Sequence, residues 1–234
     1  MNQKKIDLKE NERLDDLLLK GYQIIQNPDS FCFGVDAVLL SDFVKIKKEE
    51  RVLDLGTGNG ILPILLAGKT EAQQITGLEI QEESVNLARR SVCYNDLDER
   101  IAIVQGDIKK AGQYFEPGFF DVIVSNPPYM LANQGQKNSS VQKTIARHEI
   151  LCTIDDILRV SKGLLLDRKG RFYMIHRPFR LGEIIAKMHH HKIEVKGLQF
   201  VYPAINKEPT MVLIEGLRGG KAGLVVLPPM IMYE

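Results

Sequence analysis

The tetrapeptide Asn126-Pro127-Pro128-Tyr129 directly follows a short apolar run, Phe120–Ser125, whose pattern predicts a buried strand. Two consecutive prolines fix φ and offer no N–H, so the backbone must leave the sheet in a stiff, extended turn. An amide side chain, a free carbonyl and an aromatic ring are thereby held at the carboxyl edge of a strand, where open α/β sheets bind their ligands. An amide oxygen and a carbonyl can together accept hydrogen bonds from a planar NH2 group while the ring stacks behind it. Asn126, Pro127, Pro128 and Tyr129 are therefore the catalytic candidates.

Upstream, Val52-Leu53-Asp54-Leu55 runs into Gly56-Thr57-Gly58-Asn59-Gly60 and then Ile61-Leu62-Pro63-Ile64, a strand, a D-x-G-x-G-x-G turn and a helix start. Glycines let the backbone turn with φ > 0 and let a ligand approach the main chain, and the next helix offers its free N–H groups there. A dinucleotide loop reads G-x-G-x-x-G and seats a pyrophosphate. Here the third Gly comes one residue early and Asp54 precedes the first, which disfavours an anion and welcomes an ammonium. That favours S-adenosylmethionine over NAD. Glu79, 19 residues past Gly60, is placed to accept from ribose hydroxyls at the end of the next strand. Asp107, in Gly106-Asp107-Ile108 after the third strand, is placed to receive an adenine amine.

The elements that must position these residues alternate. Strands are predicted at Arg51–Leu55, Gln74–Ile80, Ile101–Gln105, Phe120–Ser125, Arg171–His176 and Ile193–Tyr202. Helices are predicted at Ile61–Ala67, Glu83–Tyr94, Ile154–Leu165 and Arg180–His190, with a short one near Ile108–Gln113. Such alternation implies a doubly wound α/β fold with a mostly parallel sheet. Thr210–Glu215 and Gly223–Leu227 flank Arg218-Gly219-Gly220-Lys221, which reads as a closing antiparallel hairpin. Ahead of the sheet, residues 1–50 form a lead-in with a helical turn expected around Leu14–Leu19, a short strand at Tyr22–Gln26 and a helix at Asp36–Val44. Residues 51–234 form the main domain. Met130–Arg147, polar and without periodicity, reads as a long functional loop.

At 234 residues with 26% charged residues, the composition is that of an ordinary globule. No apolar stretch approaches the roughly 20 residues of a membrane helix, and Met1–Lys5 lacks the apolar core of a signal peptide. Cys32, Cys93 and Cys152 are widely spaced, which indicates neither a disulfide framework nor a zinc site and fits a cytoplasmic protein. The run His189-His190-His191 closes a helix, where consecutive residues point to different sides, so it is expected at the surface and no metal is expected. The net charge of +1 conceals an asymmetry: residues 1–136 carry 15 Lys and Arg against 21 Asp and Glu, and residues 137–234 carry 16 against 9. An acidic half and a basic half suggest a small-molecule pocket on one side and a polyanion on the other.

Together, D-x-G-x-G-x-G, the strand-end Glu79, Gly106-Asp107 and Asn126-Pro127-Pro128-Tyr129 resemble the class I S-adenosylmethionine-dependent N-methyltransferases. More narrowly, Gln26-Asn27-Pro28, Phe33-Gly34-Val35-Asp36-Ala37 and Ala146-Arg147-His148-Glu149 resemble the bacterial tRNA (adenine-N6)-methyltransferases of the valine tRNA anticodon-loop type. The resemblance implies a Rossmann-like, seven-stranded, mostly parallel sheet with a C-terminal antiparallel hairpin. It implies S-adenosylmethionine held by Phe33, Asp36, Asp54, Gly56, Thr57, Gly58, Gly60, Glu79, Ile80, Asp107, Ile108 and Asn126. The implied target is the N6 amine of an adenine in RNA, tRNA foremost. Apart from the resemblance, Lys137, Lys143, Arg147, Arg177, Arg180, Arg218 and Lys221 are the candidate phosphate contacts, a solvated surface role being the alternative for each. Two alternatives stand beside it: a protein methyltransferase acting on a glutamine amide, whose target is also a planar NH2, and a non-catalytic RNA-binding module of the same fold.

Overall fold

The computed structural model describes residues 7–28, 34–128 and 152–233, and its contacts divide it into two compact units, 1–107 and 108–234. The first unit opens with an antiparallel pair, β1 (Arg13–Asp16) and β2 (Gln23–Gln26). The helical turn expected around Leu14–Leu19 is thus a strand and a tight turn. Leu18, Lys20 and Gly21 all take positive φ, which a right-handed helix cannot contain, and the Asp16 carboxylate accepts from the Leu18 N–H at 2.7 Å to hold the bend. Pairing with β2, whose Ile24 and Ile25 are fully buried, overrides the weak local helix preference. The far edge of β2 is covered as well. Ile25 N–H donates to Ser91 Oγ at 3.0 Å and Gln23 N–H to Asn95 Oδ1 at 2.9 Å.

Helix α1 (Val35–Phe43) follows, with Asp36 in its first turn and Ala37, Leu39, Leu40 and Phe43 buried. Three parallel strands, β3 (Arg51–Leu55), β4 (Gln74–Glu79) and β5 (Ile101–Gln105), then pair in sequence order. Their crossovers are α2 (Ile61–Lys69) and α3 (Glu82–Tyr94). Every residue of α2 from Ile61 to Gly68 is buried, which explains why its sequence is apolar all round. Glu82 and Glu83 open α3, where carboxylates favour the positive end of the helix dipole. Because the three strands run parallel, their carboxyl ends share one edge.

The second unit begins with a 3-10 turn, Ile108–Gln113, and β6 (Val122–Ser125), all four residues of which are buried. Phe120, expected inside that strand, makes an isolated parallel bridge to Leu165 instead. Helix α4 (Ile154–Leu164) is started by a capping box in which Thr153 and Asp156 exchange hydrogen bonds. Strand β7 (Arg171–His176), a 3-10 turn at Pro178–Arg180, α5 (Leu181–His190), β8 (Ile193–Tyr202) and β9 (Met211–Arg218) follow. Strand β7 pairs parallel to β6 and antiparallel to β9, and β9 pairs antiparallel to β8.

The antiparallel hairpin is therefore β8–β9, one strand earlier than the turn at Gly219-Gly220 predicts. Both edges of β9 are taken, so the chain beyond it reaches the free edge of β8 and pairs there, parallel, as β10 (Val225–Val226) and β11 (Met230–Ile231). The architecture is α/β, with a mostly parallel sheet and C-terminal antiparallel strands. His189 and His190 are exposed, whereas His191 is half-buried with Nε2 2.9 Å from Asp155 Oδ1 on α4. No helix among the described residues is long and apolar enough to cross a membrane. Nor do they contain a group of three His, Cys, Asp or Glu placed to hold a metal ion.

Candidate functional site

In the first unit the chain leaves β3 through three glycines of positive φ, Gly56 (+81°), Gly58 (+56°) and Gly60 (+86°). A side chain at Gly60 would press on Ala88 of α3, at 3.1 Å, but one at Gly58 would meet nothing within 4 Å. Gly58 thus turns a bare stretch of main chain toward open space, as a ligand cradle requires. The loop is drawn onto the neighbouring strand: Gly56 and Thr57 N–H both donate to the Leu78 carbonyl, at 2.9 and 3.1 Å. A Cβ on Gly77 would lie only 2.7 Å from the Thr57 hydroxyl, so this close approach needs glycine on the strand.

Glu79 ends β4 and is buried. Its carboxylate accepts from Gly58 N–H at 3.0 Å and from Gln81 N–H at 2.9 Å. Before any ribose is considered, Glu79 therefore fastens the glycine loop to the start of α3. Each of its oxygens keeps a second lone pair for a hydroxyl. Ile80, next in sequence, is 43% exposed, an apolar surface beside that carboxylate. At the end of β5, Gly106 N–H donates to the Glu79 carbonyl at 2.8 Å and sets half-buried Asp107 at the same edge.

Asp54 is the electrostatic anomaly. It is 1% exposed, and neither carboxylate oxygen has a hydrogen-bond partner among the described residues. Burial pushes its carboxyl up to about 7, and the nearby Glu79 carboxylate adds to the rise. The Thr57 hydroxyl is near enough to oppose this, yet outside hydrogen-bond geometry. The Asn59 side-chain NH2, also buried, has no acceptor among them either. No protein cation pairs with Asp54 or Glu79 among the described residues. Two buried carboxylates in that condition call for a cationic ligand or for a proton.

In the second unit, half-buried Asn126, buried Pro127 and half-buried Pro128 continue from β6. Parallel pairing of β6 with β7 puts this segment at the same edge as His176-Arg177-Pro178. Burial, aided by the charge of Arg180, pushes His176 down to about 4. Of the basic residues singled out in the sequence, Arg177 lies at this edge and donates to the Thr210 carbonyl at 3.1 Å. Arg180 is 8% exposed and gives both Nε and Nη2 to the Glu183 carboxylate, at 2.9 and 3.0 Å, so it anchors α5 rather than facing outward. Arg218 bonds the Leu165 carbonyl and lies 3.6 Å from Asp167. It and exposed Lys221 stand at the amino end of β7, where Leu217 pairs with Arg171. That is the opposite edge from Asn126, roughly 20 Å away at 3.3 Å per strand residue. Phe33, Tyr129, Lys137, Lys143, Arg147 and His148 lie outside the described residues.

Residues 22–176 match the family model of the methyltransferase small domain. The chain belongs to that family. Methyl transfer is its chemistry and S-adenosylmethionine its methyl donor. This methyltransferase is 31% identical, over 67% of its length and 69% of the other, to the tRNA1(Val) (adenine(37)-N6)-methyltransferase of Erwinia tasmaniensis. It is 32% identical to the protein of that name from Tolumonas auensis over 55% of its length, spanning only about half of that relative, 52%. Among solved structures it resembles a predicted O-methyltransferase of Agrobacterium tumefaciens, with a TM-score of 0.67 and 23% identity over 85% and 88% of the two chains.

The residues of the first unit fit S-adenosylmethionine. Asp54 supplies the uncompensated buried negative charge that an amino acid ammonium would neutralise, and Gly58 leaves main chain open to a ligand. Glu79 and Asp107 offer hydroxyl and amine acceptors, and Ile80 an apolar face. Sequence reading alone missed three parts of this arrangement: the Gln81 N–H that shares Glu79, the Gly77–Thr57 approach and the unpaired Asn59 amide. Asn59 could have been found, since a polar side chain inside a Gly-x-Gly turn is conspicuous. The Gly77–Thr57 approach depends on pairing between β3 and β4, and the Gln81 N–H on how the chain turns after β4.

Proposed function

We propose that this methyltransferase transfers a methyl group to the exocyclic N6 amine of an adenine in tRNA. The observation that carries the reading is Asn126-Pro127-Pro128 leaving a buried strand, in a chain whose relatives are named for that reaction. Those names favour a nucleobase over a glutamine amide, and the uncompensated Asp54 favours a cofactor-using enzyme over a binding module.

The amine of adenine is a poor nucleophile because its lone pair is delocalised into the ring. Asn126 Oδ1 and the Pro127 carbonyl accept its two N–H bonds, drawing the nitrogen toward tetrahedral geometry and restoring the lone pair. The same acceptors stabilise the positive charge that grows on nitrogen, an effect of about 2.7–4 kcal/mol for one well-placed group. Tyr129 stacks on the base, worth about 1–3 kcal/mol. When bound, S-adenosylmethionine supplies an electrophilic methyl on a positively charged sulfur. Asp54 takes its ammonium, Glu79 its ribose hydroxyls and Asp107 its adenine amine, with Phe33, Asp36, Gly56, Thr57, Gly60, Ile80 and Ile108 completing the pocket. No strong base is needed beforehand, because the methylated amine is acidic and loses its proton readily.

The target base must leave its stack, so a loop is a better substrate than a duplex. Lys137, Lys143, Arg147 and Arg177 are assigned to phosphates near the target, and Arg218 and Lys221 to more distant ones. Incubation with labelled S-adenosylmethionine and separate pools of tRNA, rRNA and cell protein tests the reading. Label in tRNA, released as N6-methyladenosine on digestion, is the expected result. Label only in protein returns the glutamine-amide alternative.

A further inference from the structure

Beyond Asn126, the edge of the second unit carries large side chains turned to solvent, the most exposed being Phe179 at 62%, Ile205 at 72% and Tyr233 at 72%. Their sharing an edge follows from pairing. Phe179 comes three residues after β7, whose carboxyl end is registered against the start of β9 (His176 with Val212). Ile205 lies in the connection from β8 to β9, and so at that end of both strands. Tyr233 follows β11, which runs parallel to β8 with Ile231 beside Tyr202. The order from Asn126 outward is β6, β7, β9, β8, β11, a row stepping about 4.8 Å per strand.

These side chains are held out by structure. Phe179 sits between Pro178, whose ring fixes φ, and Arg180, locked to Glu183 beneath it. The turn bearing Ile205 is closed by Lys207 N–H on the Ala204 carbonyl at 3.1 Å. Tyr233 N–H donates to the Pro203 carbonyl, also at 3.1 Å. Solvent exposure of a fixed aromatic forfeits burial that would stabilise the chain, and here it recurs along one edge.

We infer that Phe179 and Tyr233, with Ile205 as an apolar contact between them, form a stacking platform for the unpaired nucleotides that flank the target adenine. This rests on the proposed RNA substrate and assigns it a second contact surface. Aromatic rings held beside a base pocket are the usual means of gripping single-stranded RNA. From Asn126 to the Tyr233 position is four strand steps, roughly 19 Å, room for a few splayed nucleotides. Arg177 lies at this edge too and is assigned to phosphate, but Phe179, Ile205 and Tyr233 carry no charge themselves, so the platform acts through its faces. Its contribution to RNA affinity is accordingly insensitive to salt, unlike a set of phosphate contacts.

The chain contains no tryptophan, which makes Phe179→Trp a site-specific reporter. In the full chain its emission is quenched by single-stranded oligoadenylate and left unchanged by a duplex RNA of equal length. In parallel, Phe179→Ala and Tyr233→Ala each raise KM for tRNA about tenfold with kcat held within about twofold, at unchanged melting temperature. Unaltered emission at RNA concentrations that saturate methyl transfer, or an unmoved KM in both alanine variants, overturns the platform. Should the unmodified chain methylate no RNA, the proposed function falls, and quenching by oligoadenylate then decides the platform by itself.

Discussion

Two strand ends in this molecule, both assigned above to ligands, take the main chain out of the sheet by opposite means. After β3 the chain uses glycines of positive φ, a conformation that costs other residues about 1–2 kcal/mol. Their freedom is then removed from outside: Glu79 takes the Gly58 N–H and Leu78 takes those of Gly56 and Thr57. After β6 the chain uses two prolines, stiff by covalent structure, and requires no such partner to fix φ. The glycine turn is as good as the carboxylate that holds it, whereas the proline turn carries its own geometry and risks only its functional groups. Substitutions near the first should therefore affect stability and cofactor affinity together, and substitutions in the second should affect rate alone.

Asn126→Ala puts the largest effect on that contrast. Methyl transfer falls about 10²–10³-fold, while calorimetry finds S-adenosylmethionine affinity nearly unchanged; parallel loss of both would erase the distinction. Glu79→Gln comes next. Replacing a buried charged acceptor of two backbone N–H groups lowers stability by about 1.5–3 kcal/mol in denaturant melts, with cofactor affinity falling alongside. If affinity falls while stability holds, Glu79 serves only the ligand.

Asp54 gives a pH signature. Its carboxyl is pushed up to about 7 in the folded chain from 3.8. Between those values the unfolded state has lost a proton that the folded state keeps, so this group's contribution to stability is full below about pH 4 and declines as pH rises toward 7. Binding an ammonium requires the carboxylate, so cofactor affinity strengthens about tenfold per pH unit up to about 7 and then levels off. Asp54→Asn removes both slopes, and titration calorimetry across that range checks it. The smallest effect is that of Gly58→Ala. Open space accepts the methyl group, so only the positive φ opposes it, at about 1 kcal/mol in a thermal melt. The new Cβ nonetheless stands where a ligand would approach, and cofactor affinity drops measurably.

Much of this arrangement was legible in the residues. Strands β3, β5, β7 and β8 carry the predicted limits, because apolar runs between turn signals are set by local pattern. Helix α4 could be placed from Thr153 and the acidic turn behind it. The Leu14–Leu19 segment could not, because its form is decided by pairing with β2, from Leu14 with Ile25 to Asp16 with Gln23, and by positive φ at Leu18 and Lys20. The closing hairpin went to the wrong pair of strands for a related reason. Turn residues say where a chain reverses, and they do not say which edge is already occupied.

The sequence alone determined the chemistry on offer: a glycine turn behind a buried acid, carboxylates after successive strands, and an amide held by prolines. Those are short-range facts, fixed by residue type and spacing. Only the tertiary structure decided how they are used. Strand pairing brought Glu79 onto the Gly58 amide, and burial left Asp54 without a partner among the described residues. Register set Arg218 and Lys221 at the far edge from Asn126 and lined up Phe179, Ile205 and Tyr233 beside it. Partners separated by tens of residues are chosen by packing and hydrogen-bond satisfaction across the whole unit, which no local pattern encodes.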